Sequence, residues 1–214
     1  MTSVQDIATR RGITDVLHFT TNKGLVGILG SGLVLPRAIL PSTKYVEHVY
    51  QPNAKVRKDG PWLGHVNLSI SRLNWEFFAH SKRWHQHEEV WWCALVFGPE
   101  VMYGEDVVFT STNNIYPACN RGSGADGLNA LFADPVLGAY DRPIKRPANY
   151  PESWTTCHQA EVLVPGSVPT ASLQRIVVAT EQHHDIVSSQ CEIFLRDAFP
   201  IEINAAAFEP QNHP

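Results

Sequence analysis

The apolar residues of this chain come in short runs with turn-forming residues between them, and that spacing constrains the fold more than any other feature. Runs at 16–20, 66–70, 90–97, 107–110, 160–164, 175–179 and 201–203 have the length and character of strands. Helical patterns are brief: 4–11, 23–29 behind a Thr21 or Asn22 cap and ahead of Gly30 and Gly32, 75–82, 127–132 and 183–191. Strand and helix do not alternate as a parallel βαβ sheet requires. The expected class is therefore α+β, a split, mostly antiparallel sheet with flanking short helices. Residues 36–61 read as loop, and 111–150 as about forty residues of little regular structure, rich in Asn, Gly, Pro and Arg. Loops of that length inside a domain are usually functional.

With 214 residues, one domain is the expectation, at roughly 100–200 residues per domain. A hydrophobic fraction of 43% with 6 Trp supplies a core. Net charge is −4, with pI about 6.2, so no global positive field draws the chain onto nucleic acid, and any such contact must use local basic patches. Cys93, Cys119, Cys157 and Cys191 are widely spaced, which argues against a zinc knuckle and for reduced thiols in a cytosol. No apolar stretch approaches the roughly 18 residues of a membrane span, and the N-terminus has no secretory pattern, so a soluble, cytoplasmic protein is expected.

Two segments carry chemistry. Leu17-His18-Phe19-Thr20-Thr21 offers one His among apolar neighbours. His158-Gln159-Ala160-Glu161-Val162-Leu163-Val164 places one carboxylate at the mouth of an apolar strand. A cleft enzyme that holds a dinucleotide and stabilises developing positive charge needs such a pair. Read alone, Glu161 is equally an exposed edge-strand residue, and His18 a core histidine bonded to a carbonyl. Nucleotide motifs of the Gly-x-Gly-x-x-Gly and Gly-x-x-x-x-Gly-Lys-Ser/Thr kinds are absent. Gly122-Ser123-Gly124 with Gly127 reads as a mobile loop, because no strand feeds it. His85, His87, Glu88 and Glu89 read as a solvated turn rather than a metal cluster, and His183-His184-Asp185 as a helix surface. No metal is expected.

With these segments in place, the chain resembles the DarT family of DNA ADP-ribosyltransferase toxins. Three places carry the likeness: Leu17-His18-Phe19-Thr20 with Gly27 and Leu35, the basic loop Lys55-Val56-Arg57-Lys58, and Gln159-Ala160-Glu161-Val162-Leu163-Val164 with Val168-Pro169. The resemblance implies one ADP-ribosyltransferase-like domain over 1–214, with an NAD-binding segment at about 16–62 and a target-recognition loop at about 111–158. It implies NAD as co-substrate, bound by His18, Phe19, Thr20, Gly27, Leu35 and Arg57, and catalysis by Glu161 and Arg57. A carboxylate near the ribose stabilises an oxocarbenium-like transition state or deprotonates the nucleophile. An Arg fork suits phosphates or the target base.

Between the second and third places, Asn113, Asn114, Tyr116, Arg121, Arg142, Lys145 and Arg146 mix amides, aromatics and cations. Such a mixture suits single-stranded nucleic acid. The thymine-modifying branch carries a His after the equivalent of Phe109-Thr110, whereas here Ser111-Thr112-Asn113-Asn114 follows. That departure points to guanine as acceptor, with thymine the alternative. The implied partners are single-stranded DNA and an antitoxin that neutralises the protein or removes the ADP-ribose. Competing readings are transfer to RNA, an RNA 2′-phosphotransferase relative using Arg57 and Arg72, and a non-catalytic module binding ADP-ribose or a protein.

Overall fold

A capping box opens the first helix, α1 (Val4–Arg11): Ser3 Oγ accepts from the Asp6 N–H at 3.1 Å and the Asp6 carboxylate accepts from the Ser3 N–H at 2.8 Å. Both donors are groups that a helix start leaves without an internal partner. The computed structural model describes residues 2–39, 60–86, 89–195 and 199–210. After α1 come β1 (Val16–Thr21) and α2 (Asn22–Ser31), capped by Thr21, whose hydroxyl accepts from the Gly24 N–H. Gly32 ends α2 at φ 71°, the left-handed conformation that a glycine adopts without a Cβ penalty. The remaining elements are β2 (Leu33–Val34), β3 (His65–Ile70), α3 (Trp75–Trp84), β4 (Trp92–Phe97), β5 (Val108–Thr110), β6 (Arg121–Ser123), α4 (Gly124–Ala130), β7 (Val136–Leu137), β8 (Pro143–Ile144), β9 (Glu161–Pro165), β10 (Val168–Pro169), β11 (Leu173–Val178), α5 (Glu181–Leu195) and β12 (Ile201–Ile203).

Eight strands form one sheet in the order β12-β11-β4-β1-β3-β9-β5-β6, antiparallel throughout except for β11 with β12, which α5 connects. The class is α+β, as the sequence implies. Alternation along the strands separates two apolar faces. Val16, Leu95, Phe97 and Ile176 join α1 and α2 in the larger cluster; Leu17, Ala94, Val96 and Val177 join Phe78 and Phe208 in the smaller. Phe78 is 1% exposed and meets the rings of Phe19 and Trp92 edge-on, so truncating it to Ala would cost about 3–5 kcal/mol.

The sheet is split between β1 and β3. β1 pairs with β4 along all of Val16–Thr21, but with β3 only at Val16↔Ile70 and Leu17↔Ser69. Past Leu17 the two strands part, and His18 is the first residue at the gap.

The 111–150 stretch is more regular than its composition suggests. β6 runs directly into α4, and β7 and β8 make a separate hairpin. The glycine-rich segment is thus a strand–helix junction rather than a mobile loop. A Cβ on Gly127 would sit 2.3 Å from the Gly122 carbonyl oxygen, so the glycines allow backbone-to-backbone packing. Strands of two or three residues are too short to show alternation, and that is why the pattern hid them. α4 begins three residues ahead of the expected helix at 127, and α5 extends beyond 183–191 at both ends.

Candidate active site

Glu161 is the first residue of β9 and is 7% exposed, so it is not the solvated edge-strand residue that its neighbourhood in sequence permits. A buried carboxylate is tolerated only if hydrogen-bonded. Asn67 Nδ2 donates to Oε1 at 3.2 Å, while the Asn114 backbone N–H at 3.0 Å and its Nδ2 at 2.7 Å both donate to Oε2. Register makes the first bond possible: Asn67 lies opposite Leu163, which places its side chain on the same face as Glu161, one diagonal step away. These three bonds come from amide groups of two asparagines, and they fix the direction in which the carboxylate faces.

His18 joins this cluster through the same asparagine. Its Nδ1 lies 3.0 Å from the Asn67 carbonyl oxygen, across the gap between β1 and β3. A carbonyl only accepts, so Nδ1 carries the proton. Asn67 therefore links the two polar residues that stand out in the sequence, with its backbone to His18 and its amide to Glu161. Beyond the split, Phe19 and Thr20 have no ladder partner on the β3 side among the described residues. Phe19 packs against Phe77, Phe78 and Trp92, and Thr20 is buried. Gly27 lies on the exposed face of α2, and Leu35 is half-buried in the chain leaving β2. Arg57, Lys55 and Lys58 lie outside the described residues.

The turn after β5 that carries Asn114 is held by a guanidinium. Arg121 donates to the carbonyls of Cys119 at 3.0 Å, Tyr116 at 3.1 Å and Asn114. Asn113 Oδ1 accepts from the Ile115 N–H at 3.1 Å, closing the turn from within. Arg146 likewise donates to the carbonyls of Trp154 at 2.5 Å and Pro151 at 2.7 Å. Asn114, Arg121 and Arg146, three residues of the expected nucleic-acid set, thus spend their donors inside the fold. Arg142 and Lys145 are exposed. Arg72 is buried, stacked over Trp154 at 4.3 Å and Tyr150 at 4.9 Å, which is a packing position rather than a phosphate grip.

Beside Glu161 runs a second polar chain; the sequence singles out Tyr116 and the His158-Gln159 pair but gives no sign that Glu76 joins them. Tyr116 Oη donates to Gln159 Oε1 at 3.3 Å, Gln159 Nε2 donates to Glu76 Oε2 at 2.5 Å, and His158 Nε2 lies 3.1 Å from Glu76 Oε1. Burial, then Glu76, pushes the Tyr116 phenol above its ordinary range. Asn67 was missed as well; an Asn inside a strand run, where the residue is depleted, was the available signal. Glu76 in the first turn of α3 gave none.

Among the described residues no group of three His, Cys, Asp or Glu side chains could hold a metal ion. His85 is buried beside Trp92, while His87 and Glu88 lie outside the described residues. His183 stacks on Trp91 with ring centroids 4.3 Å apart, and burial lowers its pKa. The four cysteines are free and buried. No described helix is long and apolar enough to cross a membrane.

Known proteins resemble this chain over most of its length. The family model for DarT, a single-stranded DNA thymidine ADP-ribosyltransferase, matches residues 17–208. Thermus sp. 2.9 DarT, solved in complex with NAD+, is 17% identical with a TM-score of 0.63, covering 92% of this chain and 98% of that one. The same protein in complex with ADP-ribosylated single-stranded DNA matches with a TM-score of 0.63 at 17% identity, over 92% of this chain and 97% of that one. Thermosipho africanus DarTG, solved with ADP-ribose, is 12% identical with a TM-score of 0.58, covering 91% of this chain and 51% of that one. No curated protein sequence matches the chain significantly.

Proposed function

The chain belongs to the DarT family of single-stranded DNA ADP-ribosyltransferases, and from that premise we propose that it transfers ADP-ribose from NAD to a base of single-stranded DNA, with guanine as the acceptor. The observation that carries the reading is the Glu161 carboxylate, held at the split of the sheet by Asn67 and Asn114 and tied through Asn67 to His18. NAD fits the groups present. Asn114 Oδ1 is buried and accepts no hydrogen bond among the described residues, as suits a ribose hydroxyl, and the Phe19–Thr20 backbone edge suits a carboxamide. The relatives solved with NAD+ and with ADP-ribosylated DNA support both substrates.

In this reading His18 orients the nicotinamide ribose, and Glu161 faces the sugar carbon from which nicotinamide departs. Positive charge develops there only as the bond breaks, so a carboxylate fixed in direction lowers the barrier more than it tightens binding. Arg57 engages the NAD phosphates or the acceptor base. Gly27 and Leu35 shape the segment at about 16–62, and the loop at about 111–158 presents the acceptor. Guanine is supported by the turn after Thr110, which carries Asn113 and Asn114 and no imidazole. Thymine is the second reading, favoured by the description of the matching family and by His158, which with Glu76 puts a proton acceptor beside Tyr116 and Gln159.

We read the protein as the toxin of a toxin–antitoxin pair, restrained by a partner that binds it or removes the ADP-ribose; the likeness to Thermosipho DarTG supports this. Free, buried thiols suit a reducing cytoplasm. Labelled NAD incubated with oligonucleotides differing by G-to-A or T-to-A replacement tests the base. Label is expected on guanine-containing single strands and not on duplex, where unpairing costs a few kcal/mol. Label that persists without guanine and vanishes without thymine selects the second reading. Label on RNA alone overturns the DNA assignment.

A further inference from the structure

At the tip of the β7–β8 hairpin, Tyr140 is 93% exposed and sits at φ 56°, followed by Asp141 at φ 58°. Two successive non-glycine residues in the left-handed region are rare, and Gly or Asn would occupy either position more easily. The fold gains nothing from this ring, because nearly all of it stays in water. The conformation is nonetheless well defined. The Gly138 N–H donates to the Arg142 carbonyl at 2.8 Å and the Arg142 N–H to the Ala139 carbonyl at 3.2 Å. Val136 is buried, and the Arg146 N–H donates to Asp134 Oδ1 at 3.1 Å while its guanidinium holds the 151–154 segment. A rigid hairpin therefore presents a large aromatic ring at no packing benefit, which is what a stacking platform requires.

The surroundings say what stacks there. Arg142 and Lys145, on the same hairpin, are exposed. The hairpin lies within the 111–158 loop that presents the acceptor in the reading above, and Arg146 just beyond β8 clasps the carbonyls of Pro151 and Trp154 on the way to Glu161. We propose that Tyr140 stacks on a nucleobase next to the acceptor base of the single strand, with Arg142 and Lys145 on the adjoining phosphates. The inference rests on the nucleic-acid reading above and assigns Tyr140 a role in holding the strand.

Tyr140→Asn removes the ring and keeps the left-handed backbone. The KM for a single-stranded oligonucleotide should rise roughly 5- to 100-fold, as expected for the loss of one stacked base, with kcat at saturation unchanged. Tyr140→Phe and Tyr140→Trp should behave as the unaltered protein does. An oligonucleotide with 2-aminopurine beside the acceptor base should be quenched on binding by the unaltered protein and by Tyr140→Phe, but not by Tyr140→Asn. Unchanged KM and quenching in Tyr140→Asn would overturn the proposal. So would an Asn variant that keeps its KM yet escapes its antitoxin, which would make the tip a protein-docking site. The quenching readout needs no turnover, so it still decides the matter if no strand is labelled and the transfer reading itself fails.

Discussion

Two carboxylate clusters on the same sheet are held by different kinds of group. At the split, two asparagines bracket the Glu161 carboxylate, with amide donors on both of its oxygens. At the far edge, Arg175 on β11 forks onto Asp15 at 2.6 and 3.3 Å and reaches Glu202 of β12 at 2.8 Å, while Asn204 donates to the other Glu202 oxygen at 3.0 Å. There the charges compensate, and the Asp15 bond raises the Arg175 pKa while Asn204, then Arg175, lowers that of Glu202. Directional amide donors fix where the Glu161 carboxylate points, whereas the Arg175 ion pairs tie two strands and the segment before β1 together.

The largest expected effect comes from removing the oriented charge. Glu161→Ala should lower kcat for transfer by at least about 10³-fold while NAD affinity changes little, because the interaction exists chiefly in the transition state. Titration calorimetry with NAD beside single-turnover transfer separates the two. Turnover near that of the unaltered protein would remove Glu161 from the chemistry and the split from the active site.

Breaking the asparagine bracket should do less. Asn114→Ala deletes the 2.7 Å bond and leaves the backbone donor, so kcat should fall about 10- to 100-fold with KM for NAD nearly unchanged. Asn114→Asp sharpens the contrast, since it puts a second carboxylate against the first. The acid limb of the pH–rate profile should then move to higher pH, because two carboxylates in contact resist ionising together. A merely structural Asn114 would lower Tm in both variants and leave that limb in place.

Legibility in the sequence follows from how local each signal is. The runs at 16–20, 66–70 and 160–164 anticipate β1, β3 and β9 to within a residue or two, since alternation is written in neighbouring positions. His18 and Glu161 stand out for the same reason, as polar residues in apolar runs. Asn67 does not, because its role depends on the register with β9, 94 residues away. Arg121 and Arg146 read as free cations because their partners are backbone carbonyls, which every residue carries and no composition reveals. The expected nucleic-acid set therefore contains both exposed cations and structural clasps, and only burial and bonding tell them apart.

The smallest effect lies at the fastening cluster and is read as stability rather than rate. Arg175→Met should destabilise by roughly 1–2 kcal/mol, discounted because Glu202 is 40% exposed, and should leave kcat per folded molecule unchanged. The pH dependence has a definite sign. Glu202 has a lowered pKa when folded, so its contribution is full above the unfolded carboxylate value of about 4.3 and is lost as pH falls through the folded one. Denaturant titrations from pH 6 downward should therefore show a shallower loss of stability in Glu202→Gln than in the unaltered protein. The transfer rate at neutral pH should be the same in both. A Glu202→Gln protein that loses activity while keeping its stability would mean that the far edge feeds the site, and that the two clusters are not the separate devices their donors make them.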